Sequence, residues 1–182
     1  MVEETLERVR RWYGLCVTGY VVMPEHVNLL VSEPERSSLQ VAMQMLKQVV
    51  ARKLRSTLLA GDGEKSGIPK RFWQVRYYDF NVRTAKKRIE KLRYIHRNPV
   101  RRELVEKPED WDWSSIRHYA TGEEGVVEIE SEWTGRKRER MGMPLRLKVV
   151  GTPVTFGGAA SGVMAPGPPS RQKAARRVGH PN

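Results

Sequence analysis

The chain has 182 residues, enough for one ordinary domain and a tail, and a formal net charge of +12. Its single cysteine, Cys16, excludes a disulfide framework, and no apolar run approaches the roughly 20 residues that cross a bilayer. Because the charged N-terminal segment also lacks the apolar core of a secretory signal, we expect a soluble, cytoplasmic protein with no membrane partner.

The positive charge is concentrated at the C-terminus. Residues 134–182 contain ten Lys or Arg and one acidic residue, whereas residues 1–133 carry 23 basic and 20 acidic residues. The stretch after residue 144 is rich in Gly, Pro and Ala, a composition that buries too little apolar surface to offset chain entropy. We therefore predict a domain over 1–120, a C-terminal segment over 121–143 and a disordered basic tail over 144–182. Such a tail either binds nucleic acid non-specifically or is a solvated extension.

Hydrophobic periodicity predicts six main elements in the order helix, strand, strand, helix, strand, helix. They cover residues 2–12, 15–23, 26–32, 39–59, 71–80 and 84–98. Pro99 is expected to end the last of these helices, and a short further helix is expected over 111–120. One strand placed before this series would give βαββαβ. We therefore predict an α+β fold, a ferredoxin-like split βαβ sandwich whose N-terminal strand is missing.

Two features of these elements suggest a site. The strand 26–32 carries His26 and Asn28 in an apolar run, and residues two apart in a strand point to the same face. In the helix 84–98, Tyr94 and Asn98 are four residues apart and are therefore neighbours. The helix also has an apolar arc, formed by Ala85, Ile89, Leu92 and Ile95, and we expect this arc to face the sheet. Tyr94 and Asn98 lie on the opposite side of the helix.

Tyr94 on its own is an ordinary half-exposed tyrosine, but the polar pair on the strand favours a chemical role. A tyrosine has a free pKa of about 10 and needs a nearby cation to attack a phosphodiester. A divalent ion held by His26 and oxygen ligands would supply that cation. These residues therefore favour a site in which His26 and Asn28 bind a metal ion next to the phosphate that Tyr94 attacks.

Four stretches, in this order, closely resemble the REP-associated tyrosine transposases, which belong to the HUH (His-hydrophobic-His) single-strand transposases. They are VVMPEHVNLLVSEPE, RFWQVRYYDFNV, KRIEKLRYIHRNPVRRELVEKPEDWDWSSIRHY and ESEWTGRKRE, and the resemblance covers residues from about 14 to 140. It implies Mg²⁺ or Mn²⁺ dependence and cleavage of single-stranded DNA near palindromic hairpins. Cleavage of this kind leaves a 5′-phosphotyrosine link and a free 3′-OH. No small-molecule cofactor is implied, and the expected location is cytoplasmic and nucleoid-associated, of bacterial type.

The resemblance also implies site residues. Tyr94 matches the nucleophile, His26 the first metal-ligand histidine and Asn98 a third, amide-type ligand, while Asn28 stands where the family has its second histidine. Basic residues around these positions are expected to contact DNA phosphates; they are Lys70, Arg71, Arg76, Arg83, Lys86, Lys87 and Arg97.

The chain departs from the family pattern at two places. An asparagine oxygen ligates Mg²⁺ or Mn²⁺, but it replaces imidazole poorly, so Asn28 is expected to weaken metal binding by about 10–100-fold. The family's first strand, which lies beside the strand carrying His26, has no counterpart before residue 15. We therefore expect that strand to expose an unpaired edge, which proteins normally avoid.

Three functions follow from these observations. The first is a metal-dependent transposase that cleaves and rejoins hairpin-bearing single-stranded DNA. The second is a decayed remnant that binds DNA hairpins without cleaving them, as Asn28 and the absent strand suggest. The third is an unrelated ferredoxin-like RNA-binding protein in which aromatic side chains of RFWQVRYYDF stack on bases.

Overall fold

A computed structural model describes residues 1–60, 72–74, 78–79, 81–82, 84–143 and 152–157. Five α-helices are present in these ranges: α1 Val2–Tyr13, α2 Leu39–Ala60, α3 Ala85–Arg101, α4 Ile116–Thr121 and α5 Glu132–Arg140. The strands are β1 Val17–Val22, β2 His26–Val31, β3 Tyr78–Asp79 and β4 Thr152–Gly157. None of the described helices combines the length and apolar character that crossing a bilayer requires.

Helix α1 begins with acidic residues, ends with arginines and stops at Gly14, which adopts a left-handed conformation with φ 65°. The chain then enters the hairpin of β1 and β2, which are antiparallel with Val21 opposite Asn28. The Met23 N–H donates to the His26 carbonyl at 2.8 Å and closes the turn at Pro24 and Glu25. The predicted helix–strand–strand order is therefore present.

The sheet has the order β1-β2-β4-β3, and β4 comes from the segment predicted to be a disordered tail. Strand β4 pairs antiparallel with β2 along its whole length, from His26 opposite Gly157 to Val31 opposite Thr152. The prediction of disorder was therefore wrong for residues 152–157; residues 144–151 and 158–182 lie outside the described part of the chain.

The prediction of an unpaired edge on β2 was also wrong. Strands β1 and β4 are both antiparallel to β2 and flank it, so they are parallel to each other with one strand between them. That is the split arrangement, and β4 lies where a preceding strand would lie in βαββαβ. Pairing satisfies the backbone groups of β2 that an open edge would leave to water.

The sheet separates two clusters of buried apolar side chains. The larger cluster lies under α1 and α2 and includes Val27, Leu29 and Val31 from β2 and Val154 and Phe156 from β4. The smaller cluster lies under α3 and contains Val21, Met23, Leu30 and Ile95, with Leu92 and Trp111 packed against it. Because neighbouring strand residues alternate between faces, His26, Asn28 and Leu30 share the face covered by α3.

Helix α3 continues through Pro99 to Arg101, so the predicted end at Asn98 was wrong. The fixed φ of proline is compatible with an α-helix. Because Pro99 has no N–H, the helix loses one backbone hydrogen bond near its C-terminal end. Arg102 N–H donates to the Asn98 carbonyl and Leu104 N–H to the Pro99 carbonyl, each at 3.0 Å. These bonds hold the last turn, in which Asn98 lies.

The buried arc of α3 is rotated relative to the predicted one. Ile89 and Ala85 are exposed, whereas the buried residues of the helix are Ile95, His96, Asn98 and Pro99. Helix α3 approaches β1 closely, since a Cβ added to Gly19 would lie 2.4 Å from Leu92 Cδ1. The C-terminal half of α3 therefore packs on the sheet, and Asn98 faces inward.

The segments after α3 cover the outer side of β1. The Val22 N–H donates to the Trp113 carbonyl, and the Ser115 N–H donates to the Tyr20 carbonyl. Helix α4 covers residues 116–121, so only residues 116–120 of the predicted helix 111–120 are α-helical. Further on, Val127 and Ile129 join the larger core cluster. Arg138 on α5 forms ion pairs with Glu128 and Glu130, and Arg10 on α1 pairs with Glu7 and Glu128.

Phe72 and Trp73, from the aromatic stretch considered for base stacking, are core residues. Both are buried, the Trp73 indole N–H donates to the Lys47 carbonyl at 2.9 Å, and its ring meets Phe156 edge-on at 5.2 Å. These two rings present no open face to a base, which contradicts that role for them. Residues 71, 75–77 and 80 of the stretch lie outside the described ranges.

Acid should destabilise the fold through His96, which is buried with Nε2 2.9 Å from Ser115 Oγ. Burial lowers the pKa of His96 to about 4, below the roughly 6.5 expected in the unfolded chain. The unfolded state therefore takes up the proton first as pH falls. We expect the free energy of unfolding to fall by about 3 kcal/mol from this group between about pH 6.5 and 4.

Urea unfolding of the wild type and of His96→Gln across this pH range would measure the effect. Gln keeps a polar side chain and does not titrate, so the variant should lack this part of the pH dependence. An equally steep dependence in both proteins would assign it to other groups.

Candidate functional site

Strand β2 presents His26 and Asn28 to α3, as the two-residue spacing predicted. His26 is partly buried, and its Nδ1 lies 3.9 Å from Glu25 Oε2. Burial lowers the pKa of the His26 imidazole, and the nearby Arg102 lowers it further against the opposing effect of Glu25. The imidazole is therefore neutral at neutral pH, which is the form that binds metals.

Helix α3 brings Asn98 to His26. Asn98 Nδ2 donates to His26 Nε2 at 3.0 Å, and Asn98 is only 5% exposed. The contact joins residues 72 positions apart, and it exists because the last turn of α3 packs against the start of β2. The structure thus brings together two of the predicted metal ligands.

Asn28 has 4% of its surface exposed and is more deeply buried than His26 and Asn98. Its Oδ1 accepts a hydrogen bond from Thr155 Oγ1 at 2.7 Å. Its Nδ2 is buried and has no hydrogen-bond partner among the described residues. The sequence did not indicate Thr155 as a site residue, because Thr155 lies on β4, within the segment 144–182 that was predicted to be a disordered tail.

Tyr94 lies at the margin of the buried arc of α3 and is 47% exposed. Two cations flank its ring: Lys91 Nζ lies 5.9 Å and Arg101 Cζ 5.4 Å from the ring centroid. These distances are within the range of cation–π contacts. Lys91 and Arg101 were not among the predicted DNA-binding residues, although their spacings of three and seven residues from Tyr94 place them on its side of the helix.

These side chains border one open cleft of about 330 Å³. The residues that line it are His26, Asn28, Leu29, Lys91, Tyr94, Ile95, Pro153 and Thr155. The cleft contains the predicted nucleophile and two of its three predicted metal ligands, and the third ligand contacts His26. Strand β4 supplies one wall.

The donors around this cleft are one imidazole and two carboxamides. Within the described ranges, no three His, Cys, Asp or Glu residues cluster in a way that could hold a metal ion. Carboxamide oxygens nevertheless suit Mg²⁺ or Mn²⁺, and a neutral imidazole is a common ligand of divalent metals. Asn28 would have to turn its oxygen, which here accepts a hydrogen bond from Thr155, toward such an ion, because an amide nitrogen has no lone pair to offer a cation. The donor set therefore fits a weakly held divalent cation.

The predicted basic residues are only partly within the described ranges. Lys86, Lys87 and Arg97 are exposed on α3, and Lys87 forms an ion pair with Glu90 at 3.0 Å. The other four, Lys70, Arg71, Arg76 and Arg83, lie outside the described part of the chain. Their role in DNA binding stays a prediction.

Comparison with known proteins identifies the class to which this fold and site belong. The sequence profile of the family described as "Transposase IS200 like" matches residues 1–98, more than half of the chain. The protein therefore belongs to the IS200-like transposase family.

The chain is also similar to two REP-associated tyrosine transposases, one in sequence and one in fold. A Haemophilus influenzae protein of that name is 29% identical over 110 residues, covering 57% of this chain and 60% of the relative. A solved REP-associated tyrosine transposase bound to a REP hairpin has the same fold, with TM-score 0.53 and 20% identity over 71% of this chain and 72% of that one. The resemblance indicated by the motifs is thus confirmed, and the chain spans about 60% of the length of its curated relative.

Proposed function

We propose that this protein cleaves and rejoins single-stranded DNA beside palindromic hairpins, through a covalent link to Tyr94. The observation that carries the proposal is the cleft in which Tyr94 lies opposite His26 and Asn28, with Asn98 against His26. Family membership and the DNA hairpin bound by the solved relative support the same substrate class.

The proposed reaction is a phosphoryl transfer that conserves the energy of the phosphodiester bond. The Tyr94 oxygen attacks the phosphorus, the bond from phosphorus to the 3′ oxygen breaks, and the proton lost by the phenol is balanced by the one gained by the 3′-OH. The product is a 5′-phosphotyrosine and a free 3′-OH. Attack of a 3′-OH on that phosphotyrosine reverses the step and rejoins DNA, so no external energy source is needed.

His26, Asn28 and Asn98 would hold Mg²⁺ or Mn²⁺ next to this phosphate. When bound, the ion would supply positive charge to the phosphate oxygens and favour the phenolate form of tyrosine. The side chains of the protein add to this: Lys91 and Arg101 place two positive charges beside the Tyr94 ring. Those charges bind the phosphates on either side of the attacked one and position the strand.

A second candidate function is hairpin binding without cleavage. The observation that favours it is Asn28, whose oxygen is bonded to Thr155 in the place where the resembled family has a second imidazole. A site with one imidazole would load poorly with metal, whereas the basic surface would still bind DNA phosphates. The two candidates differ only in whether a covalent product forms.

Asn28→His tests the two candidates directly. Because imidazole binds divalent metal better than a neutral amide, we expect the Mn²⁺ concentration for half-maximal adduct formation to fall by about 10-fold or more. The measurement is the shift in electrophoretic mobility of the protein when it becomes linked to labelled palindromic single-stranded DNA. Asn28→Leu, which fills the buried space without a donor atom, is the matched control and should form no adduct.

The pattern of results separates the candidates. An adduct with the wild-type protein supports the transposase, and an adduct only with Asn28→His supports a decayed enzyme. If neither protein forms an adduct on any palindromic strand while both are folded, Tyr94 is not a nucleophile at this site.

A further inference from the structure

Helix α5 presents an exposed tryptophan and three exposed cations on one side. Trp133 is 52% exposed, and Arg136, Lys137 and Arg140 are exposed as well. Their spacings of three, four and seven residues from Trp133 place all four side chains within about 100° around the helix axis. These four residues form the α5 face.

The opposite side of α5 fixes the helix to the domain. Arg138 is buried there and donates to the two oxygens of the Glu130 carboxylate at 3.0 and 2.7 Å. Glu130 is held to β1, because its N–H donates to the Val17 carbonyl at 2.7 Å. At the start of the helix, Ser131 Oγ lies 2.6 Å from His118 Nε2. The α5 face is therefore presented by a helix whose orientation is set by buried contacts.

The Trp133 indole rests against the end of α4. A Cβ added to Gly122, the residue after α4, would lie 3.4 Å from Cε3 and 3.5 Å from Cδ2 of the indole. Glycine thus lets the ring approach the backbone, while about half of the side chain stays in solvent. Helix α4 in turn contacts α3, since the Tyr119 and His96 rings lie 5.4 Å apart. One short helix therefore connects the α5 face to the helix that carries Tyr94.

The cations of the α5 face are weakly committed to the protein. Arg136 pairs with Glu132 at 3.6 Å, and Lys137 pairs with Glu124. Arg140 forms no ion pair among the residues that the structure describes. Ion pairs between exposed side chains are worth little, so a phosphate competes with them easily.

An indole among cations is the combination that binds single-stranded nucleic acid, because a base stacks on the ring while the cations contact its phosphates. We propose that the α5 face binds an unpaired segment of DNA next to the hairpin, with a base on Trp133 and phosphates against Arg136 and Arg140. The proposal rests on the proposed function, because it concerns the same DNA. A second copy of this chain that met the face through its own α5 would bring cations against cations, which disfavours that occupant.

Fluorescence anisotropy of the full chain tests the proposal with a labelled hairpin that has about eight unpaired nucleotides at each end. Metal is left out, so that only binding is measured. Trp133→Leu keeps an apolar side chain against Gly122 and removes the stacking surface, and it should weaken binding by about 10-fold. Trp133→Tyr keeps an aromatic ring and should stay within about 3-fold of the wild type. Thermal unfolding checks that each variant is folded.

The matched control is Trp12→Leu on α1. Trp12 is 48% exposed, close to the exposure of Trp133, but Arg8 already lies over its ring at 4.9 Å from the centroid. Its replacement should change affinity by less than about 2-fold, since no base is expected to stack there.

Two further comparisons separate stacking from a general structural effect. The same hairpin without unpaired ends should bind to Trp133→Leu within about 2-fold of the wild type, because it offers no free base. On the extended hairpin, Trp133→Leu should leave the salt dependence unchanged. Arg140→Gln should instead lower the slope of log affinity against log salt by about 0.7, the value for one phosphate of a single strand.

The proposal is overturned by any of three results. They are an unchanged affinity of Trp133→Leu for the extended hairpin, an equal loss on the hairpin without unpaired ends, and an unchanged salt slope in Arg140→Gln. Self-association of the wild type that Trp133→Leu abolishes, with unchanged DNA affinity, would assign the face to a protein interface instead. The proposed cleavage fails by a different result, the absence of a Tyr94-dependent adduct with Mn²⁺, and that absence leaves the affinity comparison intact.

Discussion

Tyr94→Phe is expected to abolish covalent attachment to DNA while leaving hairpin binding nearly unchanged. The substitution removes the attacking oxygen and keeps the ring between Lys91 and Arg101. Loss of a nucleophile costs several orders of magnitude, so adduct formation should fall by at least about 10³-fold. The assay is adduct formation on a labelled palindromic single strand with Mn²⁺, run beside a binding titration with the same DNA.

The matched control is Tyr13→Phe, which makes the same chemical change on α1. Tyr13 packs against the larger core, on the face of the sheet opposite α3. The control should retain any adduct formation that the wild type shows. An adduct that survives in Tyr94→Phe would place the nucleophile elsewhere, and an adduct lost in both variants would point to a general loss of structure.

Phe156→Ala is expected to lower the free energy of unfolding by about 3–5 kcal/mol, the usual cost of truncating a fully buried aromatic side chain. Phe156 is 1% exposed and packs edge-on against Trp73, so its removal leaves a cavity between β4 and the rest of the core. Urea denaturation of the full chain measures the change. A loss of this size would show that β4 belongs to the folded domain.

Met143→Ala provides the control for this experiment. Met143 precedes β4 in the chain and is 50% exposed, so its truncation should change stability by less than about 0.5 kcal/mol. Equal and small effects of both substitutions would mean that β4 is not docked on β2 in solution. In that event the Asn28–Thr155 contact would be lost as well.

Local periodicity predicted the parts of the site that lie close together in sequence. His26 and Asn28 share a face because strand side chains alternate, and Tyr94 and Asn98 are neighbours because a helix repeats every 3.6 residues. The same reasoning could have identified Lys91 and Arg101, since both lie at helical spacing from Tyr94. The rotation of the buried arc toward Asn98 could not be derived in this way, because it depends on where α3 packs against β1.

Composition gave a wrong prediction for residues 152–157. A strand of six residues, Thr152–Gly157, lies within a stretch whose Gly and Pro content predicts disorder. Its stability comes from pairing with β2 and from burying Val154 and Phe156, which are properties of the partner surface rather than of the segment. Strand propensity depends on such context more than helix propensity does.

The sequence by itself therefore determined the family, the order of the first elements, the residues on each face of β2 and the pairs of residues that are neighbours on α3. Only the tertiary structure decided that Asn98 meets His26 and that Thr155 meets Asn28. These contacts join residues 72 and 127 positions apart. Their formation depends on the packing of α3 on the sheet and on the register of β4, and both are set by the apolar surface buried between distant segments. No pattern within a single helix or strand carries that information.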